Sequence, residues 1–171
     1  MKVFAIFGIS TLMSLVSSGM IATLYAWPRL RIMNRERALL ALVAPHMFLR
    51  FLGLSFLVPG VVSPSLPTAF SFPAAYGDFV AGLLAITATV ALSRRGSWAT
   101  ALVWLFNIWG AADLLFAIYQ GVRIQIDPGA LGAAFFIPTV VVPALLVTHV
   151  LIFRLLVRPT GSGQTKGPPV K

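Results

Sequence analysis

The sequence predicts an all-α membrane protein, a five-transmembrane-helix bundle with its N-terminus outside and its C-terminus in the cytoplasm. Three observations carry that expectation. The 171 residues are 58% apolar and only 10% charged, with a mean hydropathy of +0.93, whereas a soluble domain averages ~45–50% apolar and ~25% charged. The apolar residues fall into five runs of 19 to 25 residues, and one crossing takes ~20. Ten of the 13 Lys and Arg fall on one predicted side of those runs, and the positive-inside rule makes that side cytoplasmic.

The same numbers exclude a solvated globular domain and a disordered chain, and five spans leave no length for a soluble catalytic domain. A net charge of +9 would point to nucleic acid on a soluble chain. Here the charge sits in loops, so membrane lipids are the expected partner and nucleic acid is not. With no cysteine there is no disulfide framework, no CxxC pair and no thiolate metal site. No metal is expected.

The first span covers about 3–27. Only Lys2 precedes it and the basic cluster follows it, the reverse of a cleaved signal peptide, so it reads as a retained span. Ser10, Ser14 and Ser18 recur every four residues, with Gly8 and Gly19 nearby, a small-residue pattern for close helix packing. The loop PRLRIMNRER supplies Arg29, Arg31, Arg35 and Arg37, each worth about 1 kcal/mol against anionic headgroups. The second span, about 38–59, contains Pro45, His46 and Arg50. The outer loop PGVVSPSLPTAFSFPAA has four prolines, no charge and two aromatics, Phe70 and Phe72. Too apolar for a solvated loop, it is expected at the outer interface or over the bundle mouth, as a lid or as an interface to a partner.

The third span, about 74–92, opens near Asp78, where an acid in a first turn is favoured by the helix dipole. Gly96-Ser97 marks a start for the fourth span, about 98–120. Asp127-Pro128-Gly129 places a capping carboxylate before an N1 proline and opens the fifth, about 130–153. Pro45, Pro138 and Pro143 predict kinks. Tyr25, Trp27 and Trp98 fall at predicted cytoplasmic ends, Tyr76 and Tyr119 at outer ends, as an aromatic belt requires. Cytoplasmic Arg94 and Arg95 lie between spans three and four; Arg154, Arg158, Lys166 and Lys171 follow span five. Lys2 and Arg123 are the outer exceptions. Residues 1–158 form one bundle, and the Gly/Pro-rich segment 159–171 is expected to be a disordered tail. Period-two alternation, the mark of barrel strands, is absent, as is any internal repeat.

An ionisable side chain at mid-membrane costs at least ~2.5–3.5 kcal/mol, so each needs a partner or a role. Counting about 1.5 Å of rise per residue, Arg50, Asp78 and Asp113 share the outer half. An Arg50–Asp113 ion pair is expected, with Asp78 as neighbour. The inner half holds His46, Asn107 and His149, the last nearer the surface. His46 and Arg50, at i and i+4, share one helical face, which must look into the bundle, and Gly53 continues it. Trp109 and Asp113 are also i, i+4.

The runs AAYGDF, FNIWGAADLLFA and IPTVVVPALLVTHVLIF together resemble those of small polytopic bacterial membrane proteins of uncharacterised function, over roughly residues 46–155. The resemblance implies a bacterial cytoplasmic (inner) membrane and supplies no catalytic residue. No GxSxG, HExxH or phosphate-binding glycine loop is present, so no catalytic residue is assigned and a non-enzymatic role is favoured, with an intramembrane enzyme left open.

Three functions follow as expectations. The leading one is an accessory or interaction component, working with another membrane subunit or as a homo-oligomer, whose buried Arg–Asp cluster specifies packing. The alternative is a small transporter or proton- or ion-handling protein using Arg50, Asp78 and Asp113. The second alternative is an electron carrier in which His46 and His149 ligate a b-type haem from two spans.

Overall fold

Residues 2–158 are described by the computed structural model, and five helices, each long and apolar enough to cross a membrane, account for most of them. These are α1 (Lys2–Leu30), α2 (Arg35–Leu57), α3 (Thr68–Ser93), α4 (Ala99–Arg123) and α5 (Ile137–Leu156). The segment 159–171, read from the sequence as a tail, lies outside the described residues.

α3 packs along α4 and along the second half of α2, while α5 packs against α4, the first half of α2 and α1. α1 leans on α5 and on the Pro128–Phe135 segment. Its Lys2–Ile21 stretch buries no side chain completely, and its half-buried stripe is Phe7, Ser10, Thr11, Ser14, Ser18 and Gly19. Ser14 Oγ donates to Val140 O at 3.2 Å, so the serine spacing does mark the seam with α5. Gly8 is exposed, and neither Gly8 nor Gly19 is needed for close approach, because a methyl added at either would meet nothing within 4 Å.

Buried apolar residues form two clusters with a polar layer between them. One cluster, at the end of the bundle that carries Arg35, Arg94 and Arg154, includes Leu39, Leu42, Ala85, Ala88, Val103, Phe106, Ile152 and Leu155. The other, at the far end, includes Phe56, Phe70, Ala74, Leu114, Leu131, Ile137 and Leu145. Between the two lie His46 and Arg50 on α2, Asp78 on α3, Asn107 on α4 and His149 on α5, all buried, whereas the buried Ser71 and Thr139 sit among the far-end cluster. Flanked by apolar side chains on both sides, a polar group buried in that layer is costly unless it is hydrogen-bonded.

Several boundaries differ from the sequence expectation. The third helix begins at Thr68 rather than 74, so half of the proline-rich outer loop is helical. Pro67 is the extended residue just before the helix, and Pro73 stands in the second turn, where it removes one backbone donor without ending the helix. Asp78 is therefore ten residues past Thr68 and receives no first-turn dipole stabilisation. The fifth span begins at Ile137, not 130. Before it, Pro128–Phe135 is a separate 3-10 segment broken at Gly132, where φ is 53°. Asp127 caps that segment as expected, accepting from Gly129 N at 3.0 Å.

Gly96-Ser97 does not start the fourth helix, since Trp98 precedes Ala99 with no side-chain cap. Gly96 instead closes the third: its N–H bonds Ala91 O at 3.0 Å and Arg95 N bonds Leu92 O at 3.1 Å, with Arg95 at φ 51°. That is the Schellman pattern. Pro45 and Pro138 stand at local departures from α geometry, whereas Pro143 lies within the α-helical stretch Val142–Leu156. A turn at Ala44-Pro45 divides α2, whose second half is a 3-10 helix over Arg50–Leu57, and Pro138 lies in a π turn over Ile137–Val141.

The remaining part of the outer loop is tied to the Pro128–Phe135 segment by Ser63 N→Ala130 O, 2.9 Å, and Ala133 N→Val61 O, 2.8 Å. Together they form a roof over the far end. At the basic end, Arg35 Nη2 donates to Leu156 O at 2.7 Å and the Arg154 guanidinium lies 4.0 Å from the Trp27 ring centre. Cations thus satisfy or face the last turn of α5, where free carbonyls favour them.

Candidate functional site

Arg50 is the hub of the polar layer. It is fully buried, as are His46 and Asn107. The guanidinium reaches three other helices. Its Nη1 donates to Asp78 Oδ1 on α3 at 2.6 Å and to Asp113 Oδ2 on α4 at 3.0 Å. Its Nη2 donates to Gly110 O at 2.6 Å and faces His149 Nε2 on α5 at 2.8 Å. All four Nη hydrogens are thereby placed, whereas Nε has no partner. Asp78, expected only as a neighbour, makes the shorter of the two ion pairs.

The geometry assigns the His149 tautomer. A guanidinium only donates, so His149 Nε2 accepts from Arg50 and Nδ1 carries the proton. Nδ1 then donates to Asn107 Oδ1 at 2.7 Å, and Asn107 Nδ2 returns a bond to His149 O at 3.2 Å. His46 is oriented by similar bookkeeping. Thr148 Oγ1 gives its single hydrogen to Leu145 O at 2.8 Å, so it accepts from His46 Nε2 at 2.8 Å. His46 Nδ1 is left as a bare, buried acceptor.

The expected separation into an outer Arg–Asp group and an inner His–Asn group is not what the fold builds. Arg50 to His149 joins them into one network across α2, α3, α4 and α5. α5 runs two residues beyond Arg154, to Leu156. The i, i+4 spacing of His46 and Arg50 does put both on the face that looks into the bundle. Trp109 lies on the rim, with Nε1 at 3.4 Å from Gly77 O.

Two participants carried no sequence signal of their own: Gly110, through its carbonyl, and Thr148. Gly53 and Gly77 complete the setting. A Cβ at Gly53 would run into the Asp78 carboxylate, and one at Gly77 into that of Asp113. Their lack of a side chain lets α2, α3 and α4 approach at the ion pairs.

His46 and His149 do not fit a bis-histidine haem. Their ring centres are 4.7 Å apart with the planes tilted by 59°, leaving no gap for a macrocycle. Both ring nitrogens of His149 are engaged within the protein. Axial ligands must aim free nitrogens at one iron from opposite faces, and these do not. Among the described residues, no group of three or more His, Cys, Asp or Glu could hold a metal ion.

Beside the network lies a cavity of about 720 Å³. Its walls are mainly apolar, with Phe4, Phe7, Phe56, Phe70, Leu131 and Ile137 among them, and the Asp78 and Asp113 carboxylates line one side. α1 covers another side through Phe4, Phe7, Thr11 and Leu15. The carboxylates therefore have two faces, one on Arg50 and one on open space.

A family profile described as a domain of unknown function, DUF8737, matches residues 6–157. The chain belongs to this family. The match takes in all of the polar layer, the cavity walls from Ile6 onward and both strands of the roof's backbone pairing. No curated protein and no solved structure matches the chain. DUF8737 carries no activity in its description, so the reading of the site rests on its geometry.

Proposed function

We propose that this is an integral protein of the bacterial cytoplasmic membrane, N-terminus outside and C-terminus inside, that handles a proton on Asp78 and Asp113. The orientation is supported by the grouping of Arg29, Arg31, Arg35, Arg37, Arg94, Arg95, Arg154 and Arg158 at one end, against Lys2 and Arg123 at the other. The cavity then belongs to the outer half of the membrane.

The single observation that carries the proton reading is a charge count. Two carboxylates share one guanidinium at the wall of a mainly apolar cavity. Ionised together, the three groups carry net −1 charge out of water, which is strongly unfavourable. A proton shared between the carboxylates removes that charge, and the cavity gives it a path in and out. Arg50 holds the site near neutrality with one proton present, and the His149–Asn107 chain holds Arg50. The accessory-subunit reading rests on no comparable feature, because exposed apolar helix faces are what lipid requires.

Infrared spectroscopy of the reconstituted protein tests this. One protonated carboxyl is expected at neutral pH, exchanging readily with deuterium. Asp113→Asn and Asp78→Asn should each abolish its signal, since one remaining carboxylate is balanced by Arg50. Absence of a protonated carboxyl in the unaltered protein, or a signal indifferent to both variants, overturns the proposal and leaves an ion-pair fastener between helices.

A further inference from the structure

We propose that the cavity binds a monocationic amphiphile, a compact apolar body bearing one positive charge, and that its charge replaces the shared proton on Asp78 and Asp113. This deepens the proton reading and rests on it.

Size comes first. At about 720 Å³ the cavity lies within the ~300–1,000 Å³ typical of small-molecule sites, far more than a proton or a bare inorganic cation needs. Its lining separates sharply into an apolar wall and one acidic patch. Thr11 is the nearest thing to a neutral polar anchor, and its hydroxyl already donates to Phe7 O at 2.8 Å. Gln125 adds one amide at the rim.

Charge narrows the class further. Among the described residues, no Lys, Arg or His lines the cavity. Arg50 stands behind the carboxylates with its Nη hydrogens already engaged. An anion entering would meet oxygen lone pairs with nothing to receive it. A neutral hydrocarbon would fill the apolar wall but leave the carboxylates as they were. A hydrated metal ion would find two carboxylates and otherwise mostly phenyl and alkyl surface. An apolar cation satisfies both walls together, and its positive charge makes the proton redundant.

The packing also supplies a way in from lipid. α1 rests on α5 and on the Pro128–Phe135 segment and has no comparable packing along α3 or α4, although all these elements line the cavity. The seam between α1 and the α3–α4 pair therefore faces the bilayer at the level of the carboxylates. Amphiphilic cations concentrate in that region, with charge near the interface and apolar body in the acyl chains.

The test uses the full chain in nonionic detergent with tetraphenylphosphonium as the probe, followed by equilibrium dialysis and by proton release into weak buffer. Saturable binding at one per chain is expected, with one proton released per cation. Asp113→Asn should weaken binding about ten- to a hundredfold, the range set by a charge-assisted contact, while Asp113→Glu retains it. Ala117→Phe, which fills the cavity and leaves the charges intact, should also weaken it. Neutral triphenylphosphine oxide and anionic tetraphenylborate should not compete. Thermal melts of each variant confirm folding. Absent saturable binding, equal affinity in Asp113→Asn, or competition by tetraphenylborate overturns the proposal. If the cation fails to bind while the exchangeable carboxyl proton is present, this inference falls and the proton reading stands. If that proton is absent, both fall.

Discussion

Replacing Arg50 by Met removes the hub while keeping most of its volume. The structure sets the magnitude. Two ion pairs of 2.6 and 3.0 Å disappear, and Gly110 O and His149 Nε2 lose their donor. Breaking a buried ion pair by removing one partner costs about 3–5 kcal/mol, because the other charge stays buried and unpaired. With one proton shared between them, the two carboxylates strand one negative charge, so the middle of that range applies, a loss of roughly three powers of ten in the folded-to-unfolded ratio. The cost should fall when the stranded charge is also removed. In Arg50→Met with Asp78→Asn and Asp113→Asn, the amides need no counter-ion, and about half of the loss should return. An SDS-unfolding titration followed by circular dichroism, run on all variants as a thermodynamic cycle, measures both quantities. Should Arg50→Met unfold within about 0.5 kcal/mol of the unaltered protein, the range of an uninvolved surface site, or should the triple variant be no better than the single, the hub reasoning is wrong.

Two glycine substitutions probe the packing around the site. A methyl at Gly110 would lie 2.7 Å from His149 Cε1 and 2.8 Å from Arg50 Nη2, so Gly110→Ala should cost about 1–3 kcal/mol as overpacking, against no more than about 0.5 kcal/mol for Gly8→Ala on the open face of α1; equal unfolding midpoints would contradict the map. At Gly132, φ is 53° and a Cβ would collide with Val61 O, so Gly132→Ala should cost about 1–3 kcal/mol and speed amide exchange at Ser63 and Ala133, the two roof donors. Unchanged exchange there would show that the roof does not depend on this residue.

The outline of this protein was legible from one-dimensional features. The number of long apolar helices follows from hydropathy, because each is one continuous apolar run and short charged loops separate the runs. Span edges were less legible where proline intervened. Pro67 and Pro73 read as loop residues, yet proline is compatible with a helix's first turns, so Thr68–Ser93 begins six residues early. The opposite error came at 128–136, where apolar composition suggested continuous helix and the backbone turns at Gly132 instead.

The presence of a buried ionic cluster could be argued from Arg50, Asp78 and Asp113 alone, since hydrocarbon forbids isolated charges. Their wiring could not. Helical spacing states which residues share a face of one helix, as with His46 and Arg50, but not how helices rotate and slide against one another. That choice is made by steric fit at Gly53, Gly77 and Gly110 and by the length of α5, and it brings His149 onto Arg50 rather than leaving it as a free ligand. The cavity is equally invisible in sequence, because it arises where α1 packs on α5 and the Pro128–Phe135 segment rather than along α3 and α4, a relation between elements that no residue encodes locally. Solvent preference is a sum over residues, and a sum survives in any order of contacts; a binding surface is a set of distances, and those exist only after packing.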